Sequence, residues 1–519
     1  MISTKVPSHA DRIEAERLEV VVIGAGFAGV GIAIQMKRRG RASFVVLERA
    51  GDVGGTWRDN RYPGVACDIP SQLYSLSFRP DFAWSRLYAQ GSEIQAYLRE
   101  CAREEGILPH IRLGEDALRI EWCESTKDWE VRTQSALYVA RSVVIATGRL
   151  STPKLPAAED IAGFSRPLFH SSQWDETVEL AGRRVGIAGT GASAIQLIPE
   201  LAKLASKLVV FQRTAAWILP KNDRAYTDDE VEFFATDAHA RSDAREAYFW
   251  SAEEGFRARA GDRAAIAAVE RLAKHHRDSG VSDDTLRAAL TPDYEVGCKR
   301  ILLSDEFYPT MSQSNVTLES SAVRNAQGNT VTAASGQEHT LDVMIFATGF
   351  DSTHPSIAHR IVGIDGELLA THWQFGMTAY ASTVVHGFPN LFIIDGPNAS
   401  LGHNSAIYMI ETQIEYTLGA LEFLDKNDGA QLEVTASAEE DYTREIDRMA
   451  ANTVWLQGGC TSWYVDERSR RVTLLWPDFA HAFRRVNGRF SPGPFEQRSS
   501  ERRTEAVLTG VAFSDLPGN

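Results

Sequence analysis

Two glycine-rich turns, each set between a β-branched run and an apolar-periodic helix, constrain this chain more than any other feature. The first lies in "LEVVVIGAGFAGVGIAIQMKRRGRASFVVLERA". Val20 to Ile23 predicts a strand, and Gly24-Ala25-Gly26-Phe27-Ala28-Gly29 predicts a turn. A helix is then expected to about Arg39, stopped by Gly40, with a second strand from Phe44 to Leu47. In that context G-x-G-x-x-G is a dinucleotide-binding fingerprint. Gly24 makes the tight turn, Gly26 lets backbone approach a pyrophosphate, and Gly29 permits close helix–strand packing. Phe27 opens the helix, whose free N–H groups and positive dipole end face the phosphates. Glu48 is placed to accept hydrogen bonds from ribose hydroxyls.

The second copy lies in "RRVGIAGTGASAIQLIPELAKLASKLVVFQRTAAW". Val185 to Ala188 and Leu208 to Phe211 are the expected strands, with Gly189-Thr190-Gly191-Ala192-Ser193-Ala194 as the turn. Ala194 replaces the third glycine, and Pro199 is expected to kink or shorten the helix. Arg213 stands as far after Gly189 as Glu48 does after Gly24. A carboxylate suits a free 2′-hydroxyl and repels a phosphate, whereas a guanidinium suits a 2′-phosphate. The first site therefore fits an adenosine without 2′-phosphate, as in FAD or NAD, and the second fits NADP(H). Further glycine turns at "SVVIATGRL" (Gly148) and "VMIFATGFD" (Gly349) end strand-like runs that return the chain near a nucleotide.

Bulk properties narrow the class. A net charge of −15 argues against nucleic acid and against an anionic membrane surface, while leaving room for a local basic patch. The N-terminal "MISTKVPSHADRIEAERLE" is polar, and no apolar run reaches membrane-spanning length, so a cytoplasmic protein is expected. Five widely spaced cysteines, Cys67, Cys101, Cys123, Cys298 and Cys460, show no metal spacing, and neither a metal nor a disulfide framework is expected. The Ala-, Arg- and Glu-rich stretch from Asp223 to Asp293 reads as an all-helical insertion, with His275 and His276 on a solvated face.

FAD with a nicotinamide site leaves two main chemistries. A flavoprotein disulfide reductase needs two thiols a few residues apart. Cys67, in "GGTWRDNRYPGVACDIP", has no such neighbour and reads as a small buried hydrophobe. Reduced flavin must then pass its electrons to O2 or to a dedicated carrier.

Gly54-Gly55-x-Trp57 followed by Tyr62-Pro63-Gly64 and Asp68 matches a pattern of the flavin-dependent Baeyer–Villiger monooxygenases, which the chain resembles over nearly its whole length. "FSRPLFHSSQWD" resembles a second fingerprint through Phe164, His170, Trp174 and Asp175, with Arg166 where glycine is expected. "GCKRILLSDEFYPTM" carries the family's Lys-Arg pair as Lys299-Arg300, and "GPNASLGHNS" resembles the branch that includes aryl-ketone oxidisers.

The resemblance implies an α/β fold with two Rossmann-like domains, for FAD and NADP, and a helical insertion. FAD-binding segments would span 1–150 and 351–519, NADP-binding segments 151–222 and 298–350, and the insertion 223–297. It implies that NADPH reduces the flavin and that a C4a-peroxyflavin inserts oxygen beside a ketone carbonyl, giving an ester or lactone. Arg300 would keep the peroxide anionic, oriented by Asp68 on the flavin side. Gly55, Thr56, Trp57, Asp68 and Tyr74 would line the FAD site. Arg213, Thr214 and Lys299 would hold the 2′-phosphate region, with Thr190 to Gln196 on the pyrophosphate. His170 and Trp174 are read as structural linker residues. Trp463, in "CTSWYVD", resembles a mobile-loop tryptophan that closes over NADP, with core packing as the other reading. The partners implied are a small-molecule ketone and O2, with no protein partner. Heteroatom oxygenation, a carrier-coupled NADPH dehydrogenase and a nucleotide-sensing module are the competing readings.

Overall fold

A computed structural model describes residues 14–427 and 429–499. The N-terminal segment read from the sequence falls largely outside these residues.

The first fingerprint sits in an eight-stranded sheet. The strand Ala15–Ile23 runs parallel between Phe44–Glu48 and Leu137–Ile145, with Val22 facing Val46 on one side and Val144 on the other. Val20, Val21 and Val22 are almost wholly buried, as a parallel strand covered on both faces requires. Ile111–Leu113 extends one side of the sheet. An antiparallel pair, Arg119–Cys123 and Asp128–Arg132, extends the other. The short strand Leu391–Ile393 returns from the far end of the chain to pair in parallel with Leu137–Ile145. The helix Phe27–Arg38 lies over this sheet, and the long helix Ala406–Lys426 shares its apolar core.

The second fingerprint sits in a five-stranded parallel sheet ordered Val316–Glu319, Lys207–Phe211, Arg184–Ala188, Val343–Phe346, Leu168–His170. Its helix runs Ala192–Leu204 straight through Pro199, so the expected shortening does not occur. Pro199 is buried against the sheet, and packing there outweighs the lost hydrogen bond. Between Thr227 and Leu290 the chain forms five helices, the longest being Ala238–Glu254 and Arg263–Gly280. His276 is not on a solvated face: its Nε2 donates to the Ser304 carbonyl at 2.8 Å, and its ring meets Tyr308. No helix among the described residues is long and apolar enough to cross a membrane.

The cysteine expectation also needs correction. Cys298 and Cys460, separated by 162 residues, are joined by a disulfide. Sequence spacing could not show this, because the pairing is made by the docking of the C-terminal segment against the end of the insertion.

The two glycine turns differ in tightness. A methyl group on Gly29 would stand 1.8 Å from the Gly24 carbonyl oxygen, whereas Ala194 already fills the equivalent place in the second turn. Gly29→Ala should therefore lower stability by about 2 kcal/mol or more, the cost of overpacking against backbone. The denaturant midpoint relative to wild type measures it. An unchanged midpoint would contradict the close approach.

Candidate active site

The segment Gly54 to Pro70 folds back onto both nucleotide-binding turns. Gly55 lies against Gly26: a Cβ on Gly55 would be 3.1 Å from the Gly26 Cα. A Cβ on Gly191 would meet nothing within 4 Å. Both helices that follow these turns begin without a side-chain cap, leaving their first N–H groups free for an anion. These uncapped, glycine-lined cradles fit the pyrophosphates of two dinucleotides.

Glu48 is almost fully buried and tightly braced. Its Oε2 accepts from the Ala25 N–H at 2.9 Å, and its Oε1 accepts from the Ala50 N–H at 3.0 Å. Arg58 Nη1 reaches Oε1 at 2.8 Å, so a buried ion pair fixes the carboxylate at the strand end. Sequence reasoning missed Arg58, which only the helical turn Thr56–Asp59 brings round to Glu48. Beside it, Trp57 Nε1 donates to the Tyr74 hydroxyl at 3.2 Å, and the Phe27 ring packs edge-on to Tyr74. Thr56 opens the same helical turn.

Cys67 is buried, and burial pushes its thiol pKa well up, with the Asp68 carboxylate adding to the effect. A protonated thiol in that setting is a packing group. Its neighbour is charged and paired. Asp68 Oδ2 accepts from Arg300 Nε at 2.9 Å and from Nη2 at 2.5 Å. The Asp68 charge raises the Arg300 pKa still further, against the opposing effect of burial. Arg300 is therefore a permanent cation.

Around Arg300 the structure gathers groups that the sequence did not single out. The Tyr464 hydroxyl is buried without a well-formed hydrogen bond and lies in the field of both Arg300 and Arg259. Arg259, on the short helix Phe256–Arg259, is buried and makes no ion pair with a carboxylate among the described residues. Its guanidinium donates to the carbonyls of Gly255 and Gly402, both at 2.5 Å. Burial lowers its pKa to about 10. Nothing in an Arg-rich helical stretch distinguishes such a residue from a solvated one.

On the nicotinamide side, Arg213 is exposed at the end of its strand, close enough to Lys299 to repel it. Burial, then Arg213, lowers the Lys299 pKa, with Asp293 opposing. Two like charges held together fit a phosphate dianion between them. The Thr190 hydroxyl donates to the Thr214 carbonyl at 3.1 Å, closing the turn onto the next strand.

Gln196 departs from expectation. Its Oε1 accepts from the Tyr62 hydroxyl at 3.0 Å, and its Nε2 donates to the Ala66 carbonyl at 2.9 Å. The amide is committed to the Asp68 loop and is not free for a pyrophosphate. Gly64, with φ at +81°, allows this contact, since a Cβ there would stand 2.7 Å from the Gln196 carbonyl oxygen.

His170 is fully buried, its Nδ1 facing the Ser172 hydroxyl at 2.9 Å, and burial lowers its pKa to about 4. Trp174 packs edge-on against Phe169, and Arg166 is exposed. Trp463 is 43% exposed on a loop, which excludes the core-packing reading. One further group was legible only as a glycine turn. Arg149 and Asp395, paired at 2.7 Å, line a cavity with Thr147, Gly148 and Gly396 at the carboxyl ends of the first sheet's strands. That is where nucleotide sites form in open α/β sheets.

Comparison with known proteins places this geometry. Residues 21–228, which span both fingerprints, match the family model described as pyridine nucleotide-disulphide oxidoreductase. A Streptomyces coelicolor protein named a Baeyer-Villiger monooxygenase is 41% identical over 479 residues, 91% of each chain.

The chain belongs to the Baeyer–Villiger monooxygenases.

A second relative of that name, from Pseudomonas aeruginosa, is 38% identical over 500 residues, 95% of each chain. Cyclohexanone monooxygenase from Rhodococcus sp. Phi1, solved with NADP+, superimposes with a TM-score of 0.84 at 27% identity, covering 94% of this chain and 100% of that one. Oxidised steroid monooxygenase bound to NADP gives a TM-score of 0.81 at 29% identity, over 93% and 100% of the two chains. In this fold Asp68, on the loop that follows Trp57, is hydrogen-bonded to Arg300.

Arg213→Ala should weaken NADPH binding by about tenfold to a hundredfold, the worth of a charge-assisted phosphate contact, with NADH little affected. Michaelis constants for the two nucleotides measure this. An equal loss for both would remove Arg213 from the 2′-phosphate site.

Proposed function

We infer that this protein is an FAD-containing, NADPH-dependent Baeyer–Villiger monooxygenase that converts a small-molecule ketone and O2 to an ester or lactone. The observation that carries this reading is the Asp68–Arg300 pair, set between two nucleotide cradles with no second thiol beside Cys67. FAD held in the first cradle and reduced by NADPH would supply the activation of O2 needed for oxygen insertion beside the carbonyl.

The chain's own residues do the rest. Glu48, braced by Arg58, presents fixed lone pairs to the FAD ribose. Trp57 and Tyr74 wall the flavin side. Arg213 and Lys299 select the 2′-phosphate of NADPH. Arg300 keeps positive charge at the reacting oxygen at any working pH, and Asp68 aims it. Arg259 adds a second positive field from the insertion. His170, buried and neutral near pH 7, takes no proton from substrate. Electrons pass from NADPH to O2 within one chain, so this reading needs no protein carrier, and it takes a cytoplasmic setting in which NADPH is kept reduced.

Replacing Arg300 by Met should cut ester formation from a ketone by about a hundredfold to a thousandfold, the cost of losing one transition-state donor. NADPH oxidation should continue, with hydrogen peroxide as the product. Arg300→Lys should recover part of the ester yield. The assay follows the ester, its label from isotopic O2, and peroxide side by side. Undiminished ester formation in Arg300→Met would overturn the assignment.

A further inference from the structure

The Cys298–Cys460 bridge has no task in the reaction above, yet one end adjoins Lys299 and Arg300 and the other lies on the loop of Trp463. Cys298 is fully buried and directly precedes Lys299 and Arg300. Cys460 is half-buried on the loop that carries Trp463 and Tyr464. Without the S–S bond, the two segments would still touch through one backbone hydrogen bond, Glu295 N–H to the Gly458 carbonyl at 3.0 Å. Gly458 also packs closely on Cys298, where an added Cβ would lie 3.0 Å from the cysteine Cβ. The contact is therefore formed by the fold, and the bond fastens it.

We propose that Cys298 and Cys460 are a reversible redox modification site that locks the Trp463–Tyr464 loop against the Lys299–Arg300 segment. The site has the anatomy of a sensing pair: a half-buried cysteine on a surface loop and a fully buried partner to resolve it. Cys460, as thiolate, attacks hydrogen peroxide, breaking the O–O bond and releasing hydroxide, and becomes a sulfenic acid. The Cys298 sulfur attacks Cys460, its proton leaves with the displaced hydroxide as water, and the S–S bond forms. Two thiols and one peroxide give one disulfide and two waters, with two electrons passing from sulfur to oxygen. An external dithiol reverses the step by attacking the Cys460 sulfur, and ends as its own disulfide. Cytosolic disulfides are characteristically of this transient, sensing kind.

The oxidant is available on the functional reading given above, on which this part of the proposal rests. With no ketone to oxygenate, NADPH, a proton and O2 yield NADP+ and hydrogen peroxide. An enzyme idling without substrate thus closes its own bridge. Closure holds Trp463 and Tyr464 beside the cations that face the nucleotide, and slows nucleotide exchange.

The test uses the holoenzyme, reduced with dithiothreitol, desalted and exposed to graded hydrogen peroxide. Alkylation and mass spectrometry map the thiols at 298 and 460, and displacement kinetics give the rate of NADP+ release. Reduction should open the pair, peroxide should close it, and NADP+ should leave about tenfold more slowly from the closed form, as expected when a loop gates release. Cys460→Ser should release NADP+ at the open rate with or without peroxide. The proposal is overturned if both thiols stay alkylatable after peroxide, or if open and closed forms release NADP+ equally fast. Added peroxide makes these outcomes independent of the oxygen chemistry. A protein that closes the bridge and slows release but forms no ester from any ketone would instead overturn the functional reading alone.

Discussion

The arrangement of this molecule turns on a single ion pair, Asp68 with Arg300, whose members are 232 residues apart in sequence. Asp68 lies on the loop after the first nucleotide-binding turn, and Arg300 lies just before the short strand Leu302–Leu303, which pairs with Ile218–Leu219. Both side chains are about three-quarters covered, so losing either partner would leave the other charge only partly hydrated and without its counter-ion. The pair therefore demands that the loop, the insertion and the second sheet all be docked before the site has its final charge. Cys67 shows the same environment from the other direction: surroundings that keep a guanidinium charged through its partner keep a lone thiol protonated.

The chain is acidic overall, yet Arg213, Lys299, Arg300 and Arg259 converge on one region. Only Arg300 among them has a carboxylate in direct contact among the described residues. A cleft of one sign inside a body of the other concentrates field lines, and anionic nucleotides are drawn to it from solution. The excess of carboxylates elsewhere keeps the outer surface from competing for them.

Both parallel strand sets, their glycine turns and the opposite charges at Glu48 and Arg213 were legible in the sequence, because each depends on spacing within one local unit. Trp57, Asp68, Lys299 and Arg300 were legible through resemblance. What escaped depends on long-range docking. Arg58 is buried only because one helical turn swings it under Glu48. Arg259 looks like any exposed helix arginine until the Gly402 segment lies across it. Cys298 and Cys460 are far apart in sequence, although Cys298 adjoins Lys299 and Cys460 lies three residues before Trp463, and that proximity was the one available signal. The fingerprint pointed Gln196 toward a phosphate, and it carried no signal that the side-chain amide bonds to the Asp68 loop.

That last contact gives the molecule a lever. Gln196 rides on the helix that begins at the nicotinamide-nucleotide cradle, and it grips Ala66, two residues before Asp68. A rotation of that helix would carry Ala66 with it, and so would displace Asp68, the partner of Arg300. One chain of hydrogen bonds thus runs from the second cradle's helix through Gln196 and the Ala66–Asp68 loop to Arg300.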